Sequence, residues 1–144
     1  MKLTKSSNNF ELAPEDTTQG VVVDVVDMGM LPGYNPEEMV HKVQIVFQLE
    51  EETSTGVPFQ VQSFPLNASI NSKATLYKEY IKPILGRDLE AADFDSEGEI
   101  DLDELLIGKN ANVTIEHKTK GENTYANITG VGTLTSKQKK ADLL

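Results

Sequence analysis

Residues 39–50 alternate without a break. Met39, His41, Val43, Ile45, Phe47 and Leu49 share one parity; Val40, Lys42, Gln44, Val46 and Gln48 share the other. A period of two sends successive side chains to opposite faces, so this segment is a strand with one apolar face and one mixed face. Such a strand leaves backbone donors and acceptors along both edges, and the rest of the chain has to pair them. The same period governs residues 19–30, where Val21, Val23 and Val25 fall on one side with Asp24 opposite. Val26, Met28 and Met30 then take the inward side with Asp27 opposite. The extra apolar residue at Val25–Val26 predicts a β-bulge, a kink that lets one strand serve two sheets.

The loop at 31–38 holds Pro32, Gly33, Asn35 and Pro36, and a charged hairpin tip follows at 50–58. Residues 59–66 read as a third strand, with Phe59 and Val61 inward and Gln60, Gln62 and Phe64 outward; Pro65 ends it or marks an edge. The period then changes. Ala74, Tyr77, Tyr80, Ile81, Ile84 and Leu85 recur at steps of three and four, which makes one face of a helix. Ser69 or Ser72 can cap it, Gly86 ends it, and Pro83 distorts its last turn. Leu102, Leu105, Leu106 and Ile107 form a short apolar stop before Gly108, and strands at 110–117 and 124–134 flank a connection at 118–123. In the last strand Ala126 and Ile128 face inward, and Tyr125, Asn127 and Thr129 outward.

The order strand, strand, strand, helix, strand, strand is that of an OB fold, so the expected fold class is mainly β: a five-stranded OB-type barrel with one helix between strands 3 and 4. The 144 residues suit one domain at 10–136, with a polar arm at 1–9, an acidic loop at 88–104 and a short tail at 137–144. No apolar run follows the N-terminus and none elsewhere is long enough to span a bilayer, so the sequence predicts a cytoplasmic protein with no membrane partner.

Charge sharpens the functional reading. The formal net charge is −10, which at first opposes a nucleic-acid partner. Nine of the 23 acidic residues, however, lie at 88–104, where there is no lysine or arginine; elsewhere 14 acidic residues face 13 basic ones. A local cationic face is compatible with that balance.

Several pieces stand in order along the chain: Phe10-Glu11-Leu12 leading into GVVVDVVDMG at 20–29, HKVQIVFQL at 41–49, Phe59 to Phe64, and Leu66 before Ser69. Ser72-Lys73 with Leu76, Gly86-Arg87, DLDELL at 101–106, Gly108-Lys109 and YANI at 125–128 complete the set. Together they resemble the small single-stranded DNA-binding proteins encoded in phage and prophage replication and recombination modules. The resemblance runs from about Phe10 to Leu134. It implies an OB fold that coats displaced strands without sequence preference, in the cytoplasm of the phage host. Two features depart from it: Pro83 stands near an expected aromatic, and the acidic run 93–99 resembles an insertion.

Single-strand binders stack bases on aromatic faces and follow the phosphates with lysines. Phe64 and Tyr125 have outward parity, and Lys42, Gln44, Gln62 and Asn127 share it on their strands. Lys118 and Lys120 sit in the connection between the last two strands, which OB folds use to clamp a ligand. These eight residues are the candidate nucleic-acid site, on a groove across the second and third strands. The competing reading packs Phe64 under the N-terminal arm and Tyr125 on the helix.

Asp93, Asp95, Glu97, Glu99, Asp101 and Glu104 also fit the ligand spacing of an EF-hand calcium loop turning at Gly98. The flanking segments are too short for the paired helices of an EF-hand, so a solvated acidic loop is the better reading. His41 and His117 have inward parity and read as core or rim residues, and no nucleophile triad, Walker loop or cysteine site is present. The sequence therefore predicts a non-enzymatic protein without a cofactor whose partner is single-stranded DNA. Proteins of a phage replication or recombination complex and a second copy of the chain are further partner classes. The main alternative function is an acidic protein-interaction module; a calcium-binding protein comes third.

Overall fold

A computed structural model describes residues 11–135. The arm expected at 1–9 and the tail expected at 137–144 lie outside the described residues. The fold is mainly β: strands β1 (Asp16–Pro32), β2 (Met39–Glu52), β3 (Pro58–Gln62), β4 (Leu66–Asn67), β5 (Asn110–Lys120) and β6 (Asn123–Thr133) form one antiparallel sheet. The ladder runs β3-β2-β1-β5-β6, with β4 also pairing β2.

The alternation of β2 translates directly into burial. Val43, Ile45, Phe47 and Leu49 are buried at 5% exposure or less, and they meet Val22, Val61, Val113 and Ile115 in one core. β1 is kinked as expected, but at other places. Its register against β2 shifts between Val22 and Asp24 and again between Asp27 and Gly29, so Val23 and Met28 are the extra residues. Val22, Val25, Asp27 and Met30 therefore stand opposite Phe47, Ile45, Val43 and His41 on the core-side face, and Val26 stands opposite Gln44 on the other. Asp27 and Met30 thus share a face, which the single bulge at Val25–Val26 did not allow. Five valines in six positions leave local alternation undecided, and the pairing with β2 settles it.

The expected third strand is broken in two. Ser63 is buried, and its side-chain oxygen accepts a hydrogen bond from the Ile45 amide at 3.0 Å while its own amide donates to the Ile45 carbonyl. The chain then steps away through Phe64 and Pro65 before the two residues of β4. Among the described residues β3 and β6 come close to each other without pairing, so the sheet is open along that line rather than closed by hydrogen bonds.

A helix covers this opening. It begins as a wide turn over Leu76–Ile81, where the Lys82 amide bonds back to the Tyr77 carbonyl, and continues as regular α-helix over Lys82–Leu85; together these are α1. Pro83 accounts for the wide turn. In a regular helix its ring would press on the carbonyl of Glu79. Leu76, Tyr80, Ile81 and Ile84 form the buried face; the sequence reading placed Tyr77 there and left out Leu76. Tyr77 instead sends its hydroxyl to Asp88 at 2.8 Å. Gly86 ends α1 with φ +72, a conformation that favours glycine, and a Cβ there would also sit tightly, 3.1 Å from the Thr133 side chain.

Candidate nucleic-acid interface

A broad concavity lies where the sheet fails to close. It is a groove of about 1020 Å³, walled on one side by Phe64 to Asn67 and on the other by Ile128 to Val131 of β6, with α1 along its length. Its origin is local: Pro65 and the Ser63 anchor end β3, and the gap that follows has no strand to fill it. Lys42 reaches it from β2, Lys73 and Lys78 stand on the helix side, and Glu79 is the single carboxylate among its lining residues. Three cations against one anion is a local reversal of sign in a chain of net charge −10. Phe64 is 60% exposed and lines the groove; the N-terminal arm of the competing reading lies outside the described residues. Tyr80 contributes to the lining but is 7% exposed; burial, and then the charge of Glu79, push its phenol up to about 12, so it stays neutral across the working pH range.

Two of the eight sequence-chosen residues, Lys42 and Phe64, line this groove, and Gln44 and Gln62 lie beside the break in the strand that precedes it. Lys42 lines the groove opposite Asn67, and Phe64 lines it directly. Gln44 holds the step between β3 and β4 by donating to the Ser63 carbonyl at 2.8 Å, and Gln62 stands opposite Val46 on the same outer face. The other four lie on the β5–β6 hairpin. Lys118 is paired with Tyr125, Asn127 with Glu116, and Lys120 with Asn123 at the turn, so Lys118, Lys120, Tyr125 and Asn127 share its outer face. Tyr125 is 50% exposed. β3 approaches β6; Phe64 to Asn67, which follow β3, and Ile128 to Val131, within β6, both line the groove.

Neither the known protein families nor the characterised proteins offer a match to this chain. The site therefore rests on its own chemistry. Sequence reasoning missed Lys73 and Lys78 because the helix was read only for its apolar face. The signal was present: both are charged positions flanking Leu76, on the turn next to Phe64.

The residues of the calcium pattern are occupied in other ways. Arg87 binds Asp93 in a two-pronged contact at 2.8 and 2.9 Å, and this guanidinium, with the Glu90 amide, holds the Asp93 carboxyl down to about 2. Asp95 accepts from the amides of Glu97 and Glu99, which shapes the turn at Gly98. Asp101 caps the short helix α2 (Leu102–Leu106) by accepting from the amides of Asp103 and Glu104. Among the described residues no set of three or more His, Asp or Glu side chains is arranged to hold a metal ion. α2 in turn buries Leu106 completely, and the Gly108 and Lys109 backbone pairs with Val22 of β1. The acidic stretch is thus pinned at both ends.

His41 is at the rim, bonded to Asp27 at 2.7 Å. The Gly29 amide and then this imidazole hold the Asp27 carboxyl below its ordinary range. His117 ties the chain start to β5: its ring bonds the Ala13 carbonyl at 2.7 Å, and its amide donates to Glu15 at 2.8 Å. No described helix is long and apolar enough to cross a membrane.

Proposed function

We propose that this protein is an OB-type module that binds single-stranded DNA without sequence preference, with the strand lying along the opening between β3–β4 and β6. The observation that carries this reading is the cationic groove edged by an exposed aromatic ring. Lys42, Lys73 and Lys78 converge beside Phe64 in a protein whose total charge is strongly negative. Base stacking on Phe64 and Tyr125 tolerates any sequence because every base has a π-face, and lysines neutralise phosphates without reading bases. The ladder order, with the helix between β4 and β5, is also the order in which an OB barrel is laid out; the approach of β3 to β6 stands where that barrel closes. A place in phage replication or recombination follows from the sequence resemblance.

The test is fluorescence anisotropy with labelled oligo-dT on the full chain and on Lys73→Gln/Lys78→Gln. Loss of two phosphate contacts should flatten the plot of log affinity against log salt by about 1.4 in slope. If the wild type does not bind oligo-dT at low salt, or the double variant binds with the same slope, the groove is not the site.

A further inference from the structure

The core-side face of the β1–β2 ribbon runs on past the core that covers it. Val25, Val43 and Ile45 are sheltered, but the next pairs outward are Asp27 with Val43, Met30 with His41, and Pro32 with Met39. Met30 and Met39 are 56% and 53% exposed, and Tyr34 at the turn is fully exposed. Lone exposed apolar residues are ordinary; two methionines on one uncovered sheet face, with a tyrosine exposed in the turn that joins their strands, form a patch suited to contact.

The surroundings of this patch fix the charge of what can cover it. From Glu11 to His41 there is no lysine or arginine, while Asp24, Asp27, Glu37 and Glu38 are exposed. The same face leads inward to a cavity of about 410 Å³ with Val25 and Val43 at its base. Asp27 and His41 form one wall, and Asp95, Glu99 and Asp101 of the acidic stretch stand on the other. A space with apolar sides and a carboxylate rim suits the aliphatic stem and charged head of a lysine or arginine. A phosphate backbone would meet five carboxylates here, with one histidine that is already bonded to Asp27.

We propose that this end of the molecule docks a partner protein through a cationic amphipathic segment. Aliphatic residues of the partner cover Met30, Tyr34 and Met39, and one of its lysines or arginines enters the cavity between Asp27 and Asp101. The surface is separate from the groove, so a partner can be held while a strand is bound.

The test uses methionine-methyl NMR on the full chain, with a synthetic amphipathic Leu/Lys helical peptide as probe and its Leu/Glu counterpart as control. The Met30 and Met39 methyls should shift saturably with the cationic peptide and not with the anionic one. Affinity should fall about tenfold or more in Glu37→Lys/Glu38→Lys and in Asp95→Asn/Asp101→Asn, the size of effect that close charge pairs carry. Tyr34→Ser, at a fully exposed turn position, gives a second reading that does not depend on charge and should also weaken binding. The proposal is overturned if both peptides shift the methyls alike or if the variants bind the cationic peptide as the wild type does. Methyl shifts that follow protein concentration alone would assign the patch to a second copy, and shifts with oligo-dT would assign it to nucleic acid; either result also overturns it.

Discussion

Phe64 and Tyr125 show what a single position can carry. Tyr125 stands on the outer face of β6 and Phe64 in the link between β3 and β4, and each leaves half or more of its surface in water. Stacking on such a ring is worth ~1–3 kcal/mol per base, whereas a ring that merely fills a core would cost ~3–5 kcal/mol of stability on truncation. Phe64→Ala and Tyr125→Ala should therefore each weaken oligo-dT binding by ~1–3 kcal/mol and leave the melting temperature nearly unchanged. Melting curves and anisotropy on the same preparations check this; a lowered melting point with intact affinity would move the stacking site elsewhere. Tyr125 was legible in the sequence because strand parity is local; Phe64 was read as part of a strand that in fact ends at Gln62, and its exposure comes from the link that follows. Lys73 and Lys78 were not legible, because their value comes from a gap in a sheet strand far along the ladder. Asp93 gives a second test at this scale. Its carboxyl lies near 2 in the folded chain against an ordinary 3.8, chiefly because Arg87 hydrogen-bonds it. A depressed carboxyl adds stability that is present above the unfolded value and is lost as pH falls through the folded one. Asp93→Asn should therefore be less stable than wild type at neutral pH, and the difference should shrink between about pH 4 and pH 2. Thermal melts across that interval decide it; a constant difference would mean that the Arg87 contact does not carry the effect.

At the scale of elements, the two ends of the sheet behave differently from its middle. β1 is paired on both sides, while among the described residues β6 is paired only with β5. Alternate amides of β6 thus point away from their ladder, toward the groove. Hydrogen exchange along Asn123–Thr133 should alternate between slow and fast amides. Uniform slow exchange would mean that β3 and β6 close into a hydrogen-bonded barrel in solution. The sequence predicted every long strand to within a few residues, because amphipathic alternation is strong in β2, β5 and β6. It misplaced the bulge in β1 and missed a second one, since a run of valines carries no parity of its own and Val23 and Met28 are displaced by pairing with β2. The split of the third strand was half visible: Pro65 signalled the end, but the buried Ser63 that makes the break depends on Ile45, eighteen residues earlier. The acidic stretch was read as a free loop. Its anchors, Arg87 on Asp93 and Leu106 in the core, depend on contacts that no motif announces.

The whole molecule separates charge by position. Nine carboxylates are gathered in one pinned stretch beside the outer end of β1–β2, and lysines line the opening at β6 and the β5–β6 hairpin. That separation lets an acidic protein offer a cationic track to a polyanion. The most direct measurement is the affinity of the wild-type chain for oligo-dT over a series of salt concentrations. Each phosphate neutralised on a single strand contributes about −0.7 to the slope of log affinity against log salt, so Lys42, Lys73, Lys78, Lys118 and Lys120 together set a limit of roughly −3.5. Binding with a slope between about −2 and −3.5 is the result predicted by a strand lying along the groove and the hairpin. A slope near zero, or no binding at low salt, would contradict it.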